Sequence, residues 1–299
     1  MRKFWLDDGC WKLEVGYCKI HIFDFYLMSR SFSIFLFFLS IFVSSQKKWD
    51  IRFYNELSDK EILIFADNDE EMPMSAKFDF KLSNMTSTLP NNQIIVIPAK
   101  TKKFEIARLN VIKPNAGNGF SFTNTYNFGN ALQENYDKDY VYSLPFEKGK
   151  TQLIYQGYNG KFSHQNANAL DFNLKIGEKI FAAREGKVVE VVENNTQSCA
   201  NISCAKFNNK IVIMHPDGTF GDYVHLKLNG AEVKIGDSVE KGQFIGYSGN
   251  TGFSNGPHLH FAVFINRIDG KRDYLQTKFK TSESEATLLM EKKTYTRNY

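Results

Sequence analysis

Cysteine is scarce. There are four in 299 residues, and two of them, Cys10 and Cys18, fall in residues 1–27. The other two are Cys199 and Cys204, in "SCANISC". A cysteine-type structural zinc site needs a second pair, so one pair argues against it. In an exported chain, a close even pair reads as a disulfide closing a short loop. A concentrated basic patch is also lacking. The formal net charge is +4, a mild excess that suits a polyanionic surface such as a cell wall but not nucleic-acid binding. No apolar run reaches a comfortable membrane-spanning length. The longest, residues 32–43, follows Arg30 and precedes Ser44, Ser45 and Gln46, the layout of a secretory signal over 28–45. The chain is then expected to meet the membrane only transiently and to end up periplasmic or secreted, an uncleaved anchor being the alternative. Residues 1–27 make an odd leader before such a signal, and Met28 is the expected true start.

What is abundant is aromatic: 27 Phe and 14 Tyr, which favour strands. The expected fold is all-β. Residues 46–144 show period-two runs such as "AKFDFKL", "KFEIARL" and "GFSFTNTYNF", separated by Asn, Pro and Gly turns. That pattern predicts an N-terminal antiparallel β-sandwich-like domain. It contains no His and no Cys, and its acidic stretch from Asp67 to Glu71 reads as a solvated turn. A second β domain is expected over 145–275, with 276–299 as a peripheral helix or frayed tail. Within the second domain, "LKIGEKIFAAREGKVVEV" is echoed by "VKIGDSVEKGQFIGYSG". A repeated short β unit predicts two similar halves packed as a small sandwich or barrel.

Chemistry concentrates in this second domain. His164, His225, His258 and His260 all fall there, as does Asp171 between Leu170 and Phe172 in "ALDF". A carboxylate in an apolar strand is expensive unless it is paired or bound to a cation. His164, across a flexible "NAN" stretch, can fold back onto Asp171. In "GPHLHF", residues i and i+2 share a face, so His258 and His260 point the same way. His164, Asp171 and His260 then form a three-ligand set with a position left open for water, as catalytic zinc requires. His225 and His258 are left for proton transfer and oxyanion stabilisation. Tyr223, two residues before His225 in "YVH", is an extra candidate oxyanion donor. His215, at a hairpin turn, reads as a surface residue.

"HQNANALDF", "YVHL" and "GNTGFSNGPHLHF" together resemble the three motifs of the LytM/lysostaphin-type zinc metallopeptidases, over about residues 150 to 270. The resemblance implies Zn2+ on His164, Asp171 and His260, with His225 and His258 catalytic. It also implies a duplicated hybrid motif fold and endopeptidase action on peptidoglycan stem or cross-bridge peptides. Six residues separate His164 from Asp171, a longer spacing than in many members, which bears on the shape of that loop. Two other readings stand beside it. One is a non-catalytic cell-wall binding or activator module, as in relatives that have lost ligands. The other is a lipoyl- or biotinyl-like carrier, for which no lysine sits convincingly at a tight hairpin.

Overall fold

The structure is a computed structural model that describes residues 19–20, 49–58 and 61–299. The expected leader and signal segment lie almost entirely outside these residues. Among the described residues, no helix is long and apolar enough to cross a membrane. They fall into two compact units, one within Val15–Asn127 and one spanning Phe128–Tyr299. Both are built of strands, and among the described residues the one helical element is a short 3-10 turn over Ile202–Phe207.

In the first unit, two sheets form from the alternating runs. One contains Gly119–Phe128, Met74–Ser83 and Ile94–Ile97; the other orders Ile51–Ser58, Glu61–Asn68, Thr101–Val111 and Met85–Ser87. Alternation sends one set of side chains inward, and the sheets meet through aromatic rings. Phe53 of one sheet lies edge-on to Phe78 of the other, with centroids 5.2 Å apart, and Phe78 continues to Phe122.

The second unit is a nine-stranded sheet backed by a three-stranded one. The large sheet runs Ser238–Val239, Gly186–Val192, Lys210–Met214, Phe220–Val224, Leu259–Asn266, Ala169–Phe172, Thr151–Gln156 and Thr294–Thr296, with Arg272–Leu275 also paired to Leu259–Asn266. The small sheet orders Lys179–Phe181, Phe244–Ser248 and Leu226–Ala231. Neither closes on itself among the described residues, so the architecture is an open sandwich and not a barrel. Leu170, Phe172, Tyr223, Phe261 and Val263 project from one face of the large sheet into the core, where they meet Ile180, Leu226 and Ile245. Each such fully buried apolar side chain stabilises the fold by about 1.5–3 kcal/mol. The core residues of neighbouring strands lie opposite one another: Leu170 and Tyr223 each pair with Phe261. The alternate residues, among them Asp171 and His260, therefore project from the other face.

The repeated Lys-Ile-Gly-acid segments adopt the same turn twice. Gly177 and Gly236 take φ of 86° and 96°, the left-handed region that favours glycine. Glu178 accepts from the Lys175 N–H at 2.7 Å, and Asp237 from the Lys234 N–H at 2.8 Å. Each turn docks on the strand of the other copy, Gly177 N–H donating to Ser248 O and Gly236 N–H to Val188 O, both at 2.8 Å. The strands pair reciprocally too: Lys179–Phe181 with Phe244–Ser248, and Ser238–Val239 with Gly186–Val192.

One expectation is corrected here. Residues 276–299 are neither a helix nor a frayed tail. They contain the strands Lys278–Phe279, Thr287–Leu288 and Thr294–Thr296. Phe279 and Leu289 enter the core, and the buried Arg297 guanidinium donates to Phe146 O at 2.7 Å. These strands are too short to show a period, and single apolar anchors spaced by polar residues resemble a tail in sequence.

Candidate metal centre

The strand Leu259–Asn266 sets His260 opposite Asp171 on the neighbouring strand Ala169–Phe172. Their side chains meet, with His260 Nδ1 3.0 Å from Asp171 Oδ1. His164 arrives from a turn. Asn166 takes a left-handed φ of 57°, and the Ala167 N–H donates back to His164 O at 2.9 Å. This folding brings His164 Nε2 to 3.2 Å from Asp171 Oδ1 and 3.2 Å from His260 Nδ1. Three ligand-type atoms from three segments thus form a near-equilateral triangle.

The triangle fits a zinc ion. Ligand bonds of about 2.0–2.2 Å at tetrahedral angles put ligand atoms about 3.3–3.5 Å apart, close to the 3.0–3.2 Å observed. His164 Nδ1 lies 3.0 Å from Gly157 O and must carry the proton to bond it, leaving a lone pair on Nε2 for a metal. Asp171 Oδ2 accepts from Gln156 Nε2 at 3.2 Å, leaving Oδ1 to the triangle. Burial alone would raise the Asp171 pKa. The hydrogen bonds from His164 and His260 outweigh it and hold the carboxyl well below its usual range. Burial likewise works to lower His164, but the Asp171 carboxylate overrides it and the pKa is raised. A buried carboxylate that stays ionised and draws positive charge onto its neighbour is an environment built for a cation.

Two further imidazoles stand beside the triangle. The His225 and His258 rings are 4.5 Å apart, and the His225 ring is 5.9 Å from that of His260. His258 Nε2 is 3.7 Å from Asp171 Oδ1. His225 Nδ1 donates to Thr251 O at 2.7 Å and His258 Nδ1 to Gly256 O at 2.8 Å, because only an N–H can bond a carbonyl. Both rings therefore keep Nε2 available. Burial, followed by the nearby His258 and His260, holds the His225 pKa well below its usual range.

Tyr223 does not join the site. It is fully buried on the core face, against Phe261, and its hydroxyl accepts from the Ala183 N–H at 2.7 Å. The expectation assumed that "YVH" continues one strand. His225 instead takes φ of 69°, a left-handed kink just past the end of Phe220–Val224, which turns the imidazole to the opposite face from Tyr223. His215 is also corrected: it is buried, not on the surface, with Nδ1 2.9 Å from Thr219 Oγ1. Cys199 and Cys204 are joined in a disulfide, with Cα atoms 5.8 Å apart.

Several neighbours carried no signal in the sequence. Gln156 is buried and accepts from the Phe162 and Ser163 N–H groups while donating to Asp171. Tyr155 falls at a pairing irregularity between Ile154 and Gln156, the kind of bulge that re-aims a side chain, and its ring centroid is 6.4 Å from that of His258. Phe162, in the turn before His164, and Phe253, in the short strand Gly252–Phe253, have ring centroids 5.9 Å apart. A register irregularity leaves no mark on residue type, so these could not be read in advance.

Residues 165–272 match the model of peptidase family M23. The match begins one residue after His164 and includes Asp171, His225, His258 and His260. Among curated proteins, the chain is 33% identical over 132 residues to lysostaphin of Staphylococcus staphylolyticus, covering 44% of this chain and 23% of that one. It is 35% identical over 98 residues to the peptidoglycan DD-endopeptidase ShyA of Vibrio cholerae, covering 33% of this chain and 20% of that one. The chain thus spans less than a quarter of the length of these relatives. Among solved structures, the catalytic domain of lysostaphin from Staphylococcus simulans is 32% identical, covering 41% of this chain and 86% of that one, with a TM-score of 0.31.

Proposed function

Residues 165–272 form a domain of peptidase family M23, and from that premise we propose that the chain is an exported zinc metalloendopeptidase that hydrolyses peptide bonds in peptidoglycan stem or cross-bridge peptides. The observation that carries this reading is the convergence of His164, Asp171 and His260 on one point, with two more imidazoles alongside. These three residues would hold Zn2+. Bound there, zinc supplies Lewis acidity, polarising a carbonyl and acidifying water toward neutral pH.

The remaining steps belong to the side chains. His225, kept neutral by burial, accepts a proton from the attacking water on Nε2. The water oxygen bonds to the scissile carbonyl carbon. His258, once it has taken up a second proton on Nε2 while Nδ1–H stays on Gly256 O, stabilises the oxyanion that develops. The C–N bond then breaks, and the departing amine takes up the proton held by His225. Thr251 O and Gly256 O keep both rings oriented throughout. All five side chains are present, so nothing favours the activator reading. Export is inferred from the signal-like residues 28–45 and from the location of peptidoglycan outside the cytoplasm.

The test is direct. Purified peptidoglycans of differing cross-link chemistry are incubated with the protein, with and without a chelator, and released fragments are identified by mass spectrometry. The reading requires chelator-sensitive peptide cleavage in at least one wall type. Intact walls throughout, or cleavage indifferent to the chelator, would overturn it.

A further inference from the structure

The stretch "SCANISC" and the glycine-rich stretch before His258 are distant in sequence but form one structural unit. Ser198–Cys199 and Gly252–Phe253 pair in parallel. Gly252 N–H donates to Gln197 O at 2.7 Å, Ser254 N–H to Cys199 O at 3.2 Å, and Phe253 N–H to Asn208 Oδ1 at 2.9 Å. Loop 197–208 therefore supplies acceptors to three consecutive N–H groups, two from its beginning and one from its end. The disulfide ties Cys199, at the beginning of the loop, to Cys204 within the 3-10 turn Ile202–Phe207, and that turn is closed by the Asn208 N–H donating to Ala205 O. The fit is tight at Gly252: it has φ of 78°, and a Cβ there would lie 1.7 Å from Asn208 Oδ1.

What this loop holds is the segment that orients both non-ligand histidines. Thr251 O and Gly256 O, on either side of the three anchored N–H groups, are the acceptors for His225 Nδ1 and His258 Nδ1. Thr251 is further tied by its hydroxyl, which accepts from Asn209 N–H at 3.1 Å and donates to Leu226 O at 2.8 Å. Ser254, another anchored residue, donates from Oγ to Gly256 O at 2.7 Å. The path runs from the disulfide and its 3-10 turn to residues 252–254, to two carbonyls, to two ring tautomers. None of these residues is among the metal ligands.

We infer that loop 197–208, braced by its internal Cys199–Cys204 disulfide and with Cys199, Cys204 and Asn208 as its positioning residues, sets the orientation and tautomer of His225 and His258. The inference rests on the proposed peptidase reading for its kinetic consequence but not for its structural one. A displacement of about 1 Å at a catalytic group can cost roughly 100-fold in rate.

The test compares the zinc-loaded wild type with Cys199→Ser/Cys204→Ser and, as an independent perturbation that keeps the disulfide, Asn208→Ala. Three quantities are read: bound zinc, turnover on whichever peptidoglycan the wild type cleaves, and the ring 15N shifts that report imidazole tautomers. In the wild type, His225 and His258 should each show one Nδ1–H tautomer. Both variants should keep stoichiometric zinc, show mixed or broadened tautomers, and lose about 10- to 100-fold in kcat with little change in KM. Unchanged ring signals in a folded variant would overturn the inference, as would zinc loss in proportion to activity, which would mean that the loop supports the domain as a whole. Should the wild type cleave no peptidoglycan, the peptidase reading falls alone and the tautomer signals still decide the role of the loop.

Discussion

Gln156→Ala probes the site without touching a proposed ligand. Gln156 Nε2 is the donor to Asp171 Oδ2, at 3.2 Å, and it also bonds Ser163 Oγ at 2.8 Å. Its Oε1 accepts from the Phe162 and Ser163 N–H groups at 3.1 and 3.3 Å, pinning the turn that delivers His164. Truncation leaves a fully buried carboxylate oxygen without this donor and frees the turn beside it. An orphaned buried acceptor costs about 1–3 kcal/mol, more for a charged one. Expressed as metal affinity, that is a loss of about 10- to 100-fold, the usual range for a group that orients a metal ligand. Titration with a competing fluorescent chelator measures the affinity, and circular dichroism checks the fold. A folded Gln156→Ala protein that binds zinc within about twofold of the wild type would refute the claim that Gln156 organises the carboxylate.

Three further outcomes follow from the geometry. His225→Ala and His258→Ala should each retain zinc but lose about 10²- to 10⁴-fold in hydrolysis; loss of zinc from either, by elemental analysis, would make it a ligand. Tyr223→Phe should keep turnover within about twofold and cost about 0.5–1.5 kcal/mol in urea unfolding; a drop of about 100-fold or more would restore it as an oxyanion donor. His215 has its pKa lowered to about 3 by burial and then by Arg184, so the unfolded chain binds its proton first. Its stabilising contribution is therefore complete above about pH 6.5 and is lost as pH falls toward 3, by at most about 5 kcal/mol. Wild type and His215→Gln should diverge in the slope of unfolding free energy against pH between 6.5 and 4; parallel slopes would contradict the assignment.

Much of the architecture was legible because strand periodicity survives in residue type. The alternations in "AKFDFKL" and "GFSFTNTYNF" become facing aromatic rings, and the Lys-Ile-Gly-acid echo becomes two matching turns, each docked on a strand of the other copy. The gathering of His164, Asp171 and His260 was legible because a carboxylate among Leu170 and Phe172 calls for a cation. The failures have local causes that residue type does not record. A left-handed residue at His225 broke the parity linking it to Tyr223. A bulge hid Tyr155, and strands of two or three residues hid the docking of 276–299. The buried position of His215 depends on tertiary packing around a turn whose sequence reads as exposed.

The account depends most on one divalent ion shared by His164, Asp171 and His260. The most direct measurement is zinc bound per chain after dialysis, by elemental analysis, for the wild type and for His260→Ala. One equivalent in the wild type and close to none in a folded His260→Ala is the expected result. Stoichiometric zinc in the variant, or none in the wild type after incubation with the metal, would contradict it.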